Sequence, residues 1–136
     1  RSINYSMFLG ELPSWAQAIS HRMRENSLIP GIADQLIVNE YEPGQGIAAH
    51  VDCEPCFGDT VISISLNSSL IMDLINLKTK EKVEILLEPG SLLSISEDAR
   101  YNWTHGIAAR KVDLFKTNRL ERKLRTSLTF RKVIIK

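Results

Sequence analysis

The segment TVISISL, residues 60 to 66, sets the tightest limit on what this chain can fold into. Ile62, Ile64 and Leu66 alternate with Ser63 and Ser65, and a period of two suits a strand with two unlike faces rather than a helix. Five further runs are β-branched or alternating: DQLIVNEY (34 to 41), LIMDLIN (70 to 76), KVEILL (82 to 87), SLLSIS (91 to 96) and RTSLTFRKVII (125 to 135). Turn-forming stretches such as LNSSL and EPGS separate them. Short strands at this spacing predict a mainly β chain, an antiparallel sandwich or barrel of the jelly-roll kind.

One helix precedes the strands. Pro13 and Ser14 open it, with Ser14 expected to cap, and SWAQAISHRMREN sets Trp15, Ala18, Ile19 and Met23 along one face. His21 lies within this helix with no partner nearby in sequence and is expected to be structural. A length of 136 residues, 43% of them hydrophobic, suits one α+β domain over 1–136. It divides into an N-terminal helical segment, 1–33, and a strand-rich core, 34–136.

No apolar run approaches the roughly 18 residues of a membrane span, and RSINYSMFLGEL lacks the pattern of a secretory signal. The expectation is a cytoplasmic protein, or a nuclear one in a eukaryote, without a membrane partner and monomeric. Cys53 and Cys56 are too few and too close to staple a secreted scaffold, and a C-x-x-C supplies only two of the four ligands of a zinc site. They read as plain loop thiols. Charge is distributed unevenly: residues 110 to 136 hold ten Lys and Arg against two acids, whereas residues 1 to 109 hold seven against fourteen. The basic end is either a surface for nucleic-acid phosphates or a solvated edge.

Three histidines in 136 residues narrow the choice for chemistry. His50 and Asp52 form an H-x-D, and on an extended backbone residues two apart face the same way. His105, in YNWTHGI, falls on a run with Trp103 and Ile107 on its own side, an unusual place for a merely solvated imidazole. Two histidines and one carboxylate are the donor set of the facial triad that binds non-haem iron(II) and leaves coordination positions open. Arg125, Ser127 and Arg131 share a face of the last strand, and inward guanidiniums need anionic partners, such as a dicarboxylic acid.

The ordered set N-x-Y (Asn39, Tyr41), H-x-D (His50, Asp52), His105 and R-x5-R (Arg125, Arg131) resembles the AlkB branch of the Fe(II)/2-oxoglutarate dioxygenases. The phrases YEPGQGI, RYNWTHGI and RTSLTFRKV look most like the subgroup containing the tRNA wobble-uridine oxygenase and its bacterial relatives. The resemblance implies a double-stranded β-helix and three cofactors or cosubstrates: Fe(II), 2-oxoglutarate and dioxygen. His50, Asp52 and His105 would hold the metal, Arg125 with Tyr41 and Ser127 the distal carboxylate of 2-oxoglutarate, and Asn39 and Arg131 its metal-chelating end. It further implies oxidative demethylation of alkylated bases in DNA or RNA, or hydroxylation of a modified wobble base in tRNA.

Two other classes remain open. One is the same chemistry on a protein or small molecule; the other is a non-catalytic nucleic-acid or partner-binding module on the same fold. Glu54, two residues past Asp52, is a candidate for contact with the target base, and Tyr101 and Trp103 are candidates for a stacking wall, with core packing as the alternative for both aromatics. Members of the family usually carry a longer segment ahead of the core, which folds over nucleic acid. Only about 33 residues precede it here, so the expectation is either a minimal lid or a fragment of a larger protein.

Overall fold

The structure, a computed structural model, describes residues 11–134. Two four-stranded antiparallel sheets face one another. The first runs β1 (Gln35–Tyr41), β10 (Arg125–Arg131), β3 (Thr60–Leu66), β6 (Leu92–Ser96). The second runs β2 (Ile47–His50), β7 (Trp103–Ile107), β4 (Leu70–Asn76), β5 (Lys82–Leu87). Because most neighbouring strands, β4 and β5 excepted, are far apart in sequence, this is the jelly-roll arrangement that the alternating runs predict. The strand β2 and a short helix α2 (Glu97–Tyr101) were not legible from pattern. IAAH is only one turn of pleat long, and EDARY sits inside a polar stretch.

The two faces of the first sheet have opposite uses. Ile62, Leu128 and Phe130 point outward and bury against Ala16, Met23, Ile29 and Ala33, so helix α1 (Ser14–Glu25) covers that face. Ser63, Ser127 and Thr129 point inward and line a cavity between the sheets. The serine face of VISISL is therefore an interior polar wall. A second cluster, Leu70, Met72, Leu87 and Ile107 with Tyr41 and Ile47 packed on it, closes one end of the space between the sheets.

Helix α1 corrects two sequence expectations. Pro13, not Ser14, is the N-cap, and no side chain caps the helix. The buried stripe is Ala16, Ser20 and Met23, whereas Trp15 is 50% exposed and Ala18 is exposed. Small residues allow the helix to lie close on the sheet, and Ser20 satisfies its buried hydroxyl by donating to the Ala33 carbonyl at 3.2 Å. His21 is exposed, as expected.

The basic end is more ordered and less cationic at its surface than the sequence suggests. Residues 112 to 121 form a hairpin of β8 (Val112–Phe115) and β9 (Asn118–Glu121). Buried Asp113 anchors it, accepting from Arg122 Nε at 2.8 Å and Nη2 at 2.9 Å and from Arg110 Nε at 2.8 Å. Arg122 is itself buried and also donates to the Ala108 carbonyl at 2.7 Å, so it pins the chain that leaves β7. Arg125 and Arg131 are buried too. Arg119 and Lys132 are exposed but pair with Glu121 and Asp34. The unevenness in sequence thus overstates the charge offered to solvent.

Cys53 and Cys56 form a disulfide, which corrects their reading as plain thiols. The Cys56 and Phe57 amides both donate to the Cys53 carbonyl, and this tight turn brings the two Cα atoms to 5.2 Å, within disulfide reach. The bridge packs with Phe57 and Val133 in a small cluster directly after Asp52.

Burial alone would raise the Asp113 pKa, but the hydrogen bonds from Arg122 and Arg110 outweigh it and hold the carboxyl below its usual range. With the folded value below the unfolded one, this stabilisation is complete above about pH 4 and is lost as pH falls through the folded value. Asp113→Asn should cost about 3–5 kcal/mol near neutral pH, since it strands the Arg122 charge, and should flatten the acid limb of the stability curve; urea unfolding at several pH values measures both. Replacing both cysteines by serine should cost about 2 kcal/mol, the loop-closure contribution for so short a loop, read as a shift in urea midpoint that reductant reproduces in the unmodified protein.

Candidate metal and dicarboxylate site

His50 ends β2 and His105 lies mid-strand in β7, and the two are direct cross-strand partners. Their ring centroids are 4.4 Å apart. Gly106 makes that approach possible: a Cβ there would lie 2.8 Å from the Ala49 Cα, so a larger residue would push β2 off β7. A bulge between Ile47 and His50 turns the imidazole toward the space between the sheets. Two residues on, Asp52 is buried and completes the group.

The donor atoms converge. His50 Nε2 lies 3.4 Å and His105 Nε2 3.3 Å from the same oxygen, Asp52 Oδ1, and the three donors fall within 4.8 Å of one another. An ion bound at about 2.1 Å by nitrogen and oxygen has adjacent ligands about 3 Å apart, so the spacing suits a single metal ion. His50 Nδ1 is 2.8 Å from the Ala48 carbonyl, a bond that places the proton on Nδ1 and leaves Nε2 as the donor to a metal. The Asp52 hydrogen bond raises the His50 pKa against the opposing effect of burial. Burial would raise the Asp52 pKa, but His105, His50 and Arg131 together hold it far below the usual carboxylate range.

The arginines part company. Arg131 donates from Nη1 to Asp52 Oδ2 at 2.9 Å and from Nε and Nη2 to Gln35 Oε1 at 2.9 and 2.6 Å, with its guanidinium 3.9 Å from the Phe57 ring centroid. A protein carboxylate and amide thus satisfy one of the two cations for which the sequence required an outside anion. Arg125 is 1% exposed and makes one hydrogen bond, from Nη2 to Ser65 Oγ at 2.8 Å. Its Nε and Nη1, and the amide oxygen of Asn39, have no hydrogen-bond partner among the described residues. Burial lowers the Arg125 pKa, with the nearby Tyr41 opposing that effect, so the guanidinium is a charge in want of an anion.

These groups share one cavity of about 410 Å³, lined at its polar end by Asn39, Tyr41, Arg125, Ser127 and the His/Asp set, and elsewhere by apolar residues such as Ile47 and Met72. The orphaned donors of Arg125 fit a carboxylate, and an amide flip would turn the Asn39 N–H groups toward the same space. Glu54, Tyr101 and Trp103 are not among the lining residues. Glu54 is exposed on the disulfide turn, Trp103 Nε1 donates to Asp98 at 2.9 Å, and the Tyr101 ring lies against the Arg100 guanidinium. Sequence reading missed Gln35, Ser65 and Phe57. The first two were within reach of it, since Gln35 shares a face with Asn39 and Tyr41, and Ser65 lies on the polar side of VISISL.

Residues 4–131 match the 2OG-Fe(II) oxygenase superfamily. The chain is 37% identical over 142 residues to the mouse tRNA (carboxymethyluridine(34)-5-O)-methyltransferase ALKBH8, a match that covers 91% of the chain and 21% of that protein. It is 32% identical over 156 residues to the Arabidopsis thaliana alkylated DNA repair protein ALKBH8 homolog, covering 98% of the chain and 45% of that protein. The chain therefore spans between about a fifth and a half of the length of these two relatives. The solved structure of OsALKBH1 shares the fold, with a TM-score of 0.65 at 21% identity over 89% of the chain and 66% of that structure. A match over nearly the whole chain, on a fold that already gathers the required donors, shows that this protein belongs to the 2OG-Fe(II) oxygenase superfamily and is AlkB-like.

Proposed function

We propose that the chain is a 2-oxoglutarate-dependent dioxygenase acting on nucleic acid, by oxidative demethylation of alkylated bases in DNA or RNA. The observation that carries this reading is the convergence of His50, Asp52 and His105 beside a buried, unpaired Arg125. When bound, ferrous iron with 2-oxoglutarate and dioxygen supplies oxidation of a substrate C–H bond, coupled to decarboxylation of 2-oxoglutarate to succinate. An N-methyl group hydroxylated in this way leaves as formaldehyde.

The protein's part is positioning. His50 Nε2, His105 Nε2 and Asp52 Oδ1 would hold the ion, and a set of only three protein donors would leave coordination positions for cosubstrates. Arg125 would take the far carboxylate of 2-oxoglutarate with the planar fork that suits it, beside Ser127 and the Tyr41 ring, whose centroid lies 5.4 Å from the guanidinium carbon. Asn39 would donate to the near end. Ile47, Met72 and Ile107 in the wall keep bulk water from the cosubstrate.

The nucleic-acid substrate is supported by the tRNA and DNA-repair names of the relatives and by the exposed cations Lys111, Lys116 and Lys123 of the basic region. A second reading, hydroxylation of a modified wobble base in tRNA, is favoured by the 37% identity to the mouse protein named for tRNA position 34. Anaerobic reconstitution with iron(II) and 2-oxoglutarate, then aerobic incubation with methylated and wobble-modified oligonucleotides and mass spectrometry, separates the two. Loss of the methyl group supports the first, and gain of one oxygen the second.

His50→Ala and Asp52→Ala should each abolish succinate formation, and turnover at the unmodified rate in either would refute the metal assignment. Arg125→Met should act oppositely on stability and cosubstrate binding. By removing an uncompensated buried charge it should stabilise the metal-free protein by about 1–4 kcal/mol, while abolishing the rise in melting temperature that 2-oxoglutarate with Mn(II) gives the unmodified protein.

A further inference from the structure

Asp52 has two oxygens with different duties. Oδ1 faces both imidazoles, at 3.3 and 3.4 Å, and Oδ2 accepts from Arg131 Nη1 at 2.9 Å. A carboxylate can bind an ion through one oxygen or through both, and a partner that holds its second oxygen favours the first mode, which leaves room for a cosubstrate. Arg131 is that restraint, provided that its own plane is fixed.

Three groups fix it. Asp52 takes one N–H of Nη1, the Phe57 ring lies beneath the guanidinium at 3.9 Å, and Gln35 Oε1 accepts from both Nε and Nη2 at 2.9 and 2.6 Å. Gln35 is 7% exposed, is the cross-strand partner of Arg131 in the β1–β10 ladder, and lines the same cavity as the histidines. Arginine carries only donors, so the glutamine must present its oxygen to it. The acceptor is also neutral. A carboxylate at this position would keep the bridge to Nε and Nη2 but add a negative charge beside the cavity, which a glutamine does not.

We propose that Gln35 is a positioning residue for the metal ligand Asp52: by bridging Nε and Nη2 of Arg131 it orients the guanidinium that reserves one Asp52 oxygen and leaves the other for iron. The assignment rests on the ferrous site proposed above. It gives Arg131 the work of setting the metal ligand, and the neutrality of residue 35 favours binding of a dianionic cosubstrate nearby.

Mn(II) binding, followed by loss of the free-ion electron paramagnetic resonance signal, tests this without turnover. Gln35→Met keeps the length of the side chain and deletes the acceptor, and should weaken Mn(II) binding about 10- to 100-fold in a protein with unchanged far-ultraviolet circular dichroism. Gln35→Glu restores the acceptor and should bind Mn(II) at least as tightly as the unmodified protein, but with a raised KM for 2-oxoglutarate from the added negative charge. Mn(II) affinity within twofold of the unmodified protein in folded Gln35→Met overturns the proposal. So does loss of Mn(II) affinity in Gln35→Glu, which decides the matter if Gln35→Met does not fold. Failure of the underlying site looks different: the unmodified protein would bind no Mn(II), or His105→Ala would bind it equally well.

Discussion

The buried ion pair between Asp52 and Arg131 joins the two halves of this structure. Asp52 follows β2 in one sheet and Arg131 ends β10 in the other, and their 2.9 Å contact spans the space between the sheets. Neither charge is tolerable there alone. Together they tie the histidine-bearing sheet to the arginine-bearing sheet at the cavity that both line. Arg100 reinforces the arrangement from α2, donating to the carbonyls of Asp52 at 2.8 Å, Cys53 at 3.3 Å and Gly58 at 3.1 Å. The loop that carries Asp52 is therefore held at its backbone, by its disulfide and through its side chain.

Among the described residues four arginines, at positions 100, 122, 125 and 131, are buried, and the way each is satisfied separates scaffold from site. Arg122 meets Asp113 and ties down a surface hairpin. Arg100 meets main-chain oxygens. Arg131 meets a carboxylate and an amide. Arg125 meets a single serine hydroxyl, and two of its nitrogens have no hydrogen-bond partner among the described residues. A buried cation kept in that condition is costly, and strain of this kind marks a place where a ligand supplies the missing partner.

The sheets show how one alternating pattern can serve an interior on both sides. In β3 and β10 the apolar residues face outward beneath α1, and the serines and arginines face inward toward the cavity. An amphipathic strand commonly gives its polar face to water. Here the helix covers the apolar face, so the polar face is available to build an enclosed, hydrogen-bonding chamber.

Most of the strands and several of the residues that line the cavity were legible along the chain, because a period of two, an H-x-D and an R-x5-R are local patterns that constrain side-chain direction wherever the strand ends up. Local pattern equally determined that Asn39 and Tyr41 share a face and that Arg125, Ser127 and Arg131 share another. Only the tertiary structure decided who meets whom. It set His50 against His105 through cross-strand register, gave Arg131 to Asp52 and Gln35 while withholding a partner from Arg125, closed Cys53 onto Cys56, and moved Arg122 from a presumed surface into a buried pair. The reason is physical: direction along a strand follows from a residue and its neighbours, whereas the meeting of an arginine with a carbonyl 48 residues away or a carboxylate 79 residues away depends on where the sheets come to rest.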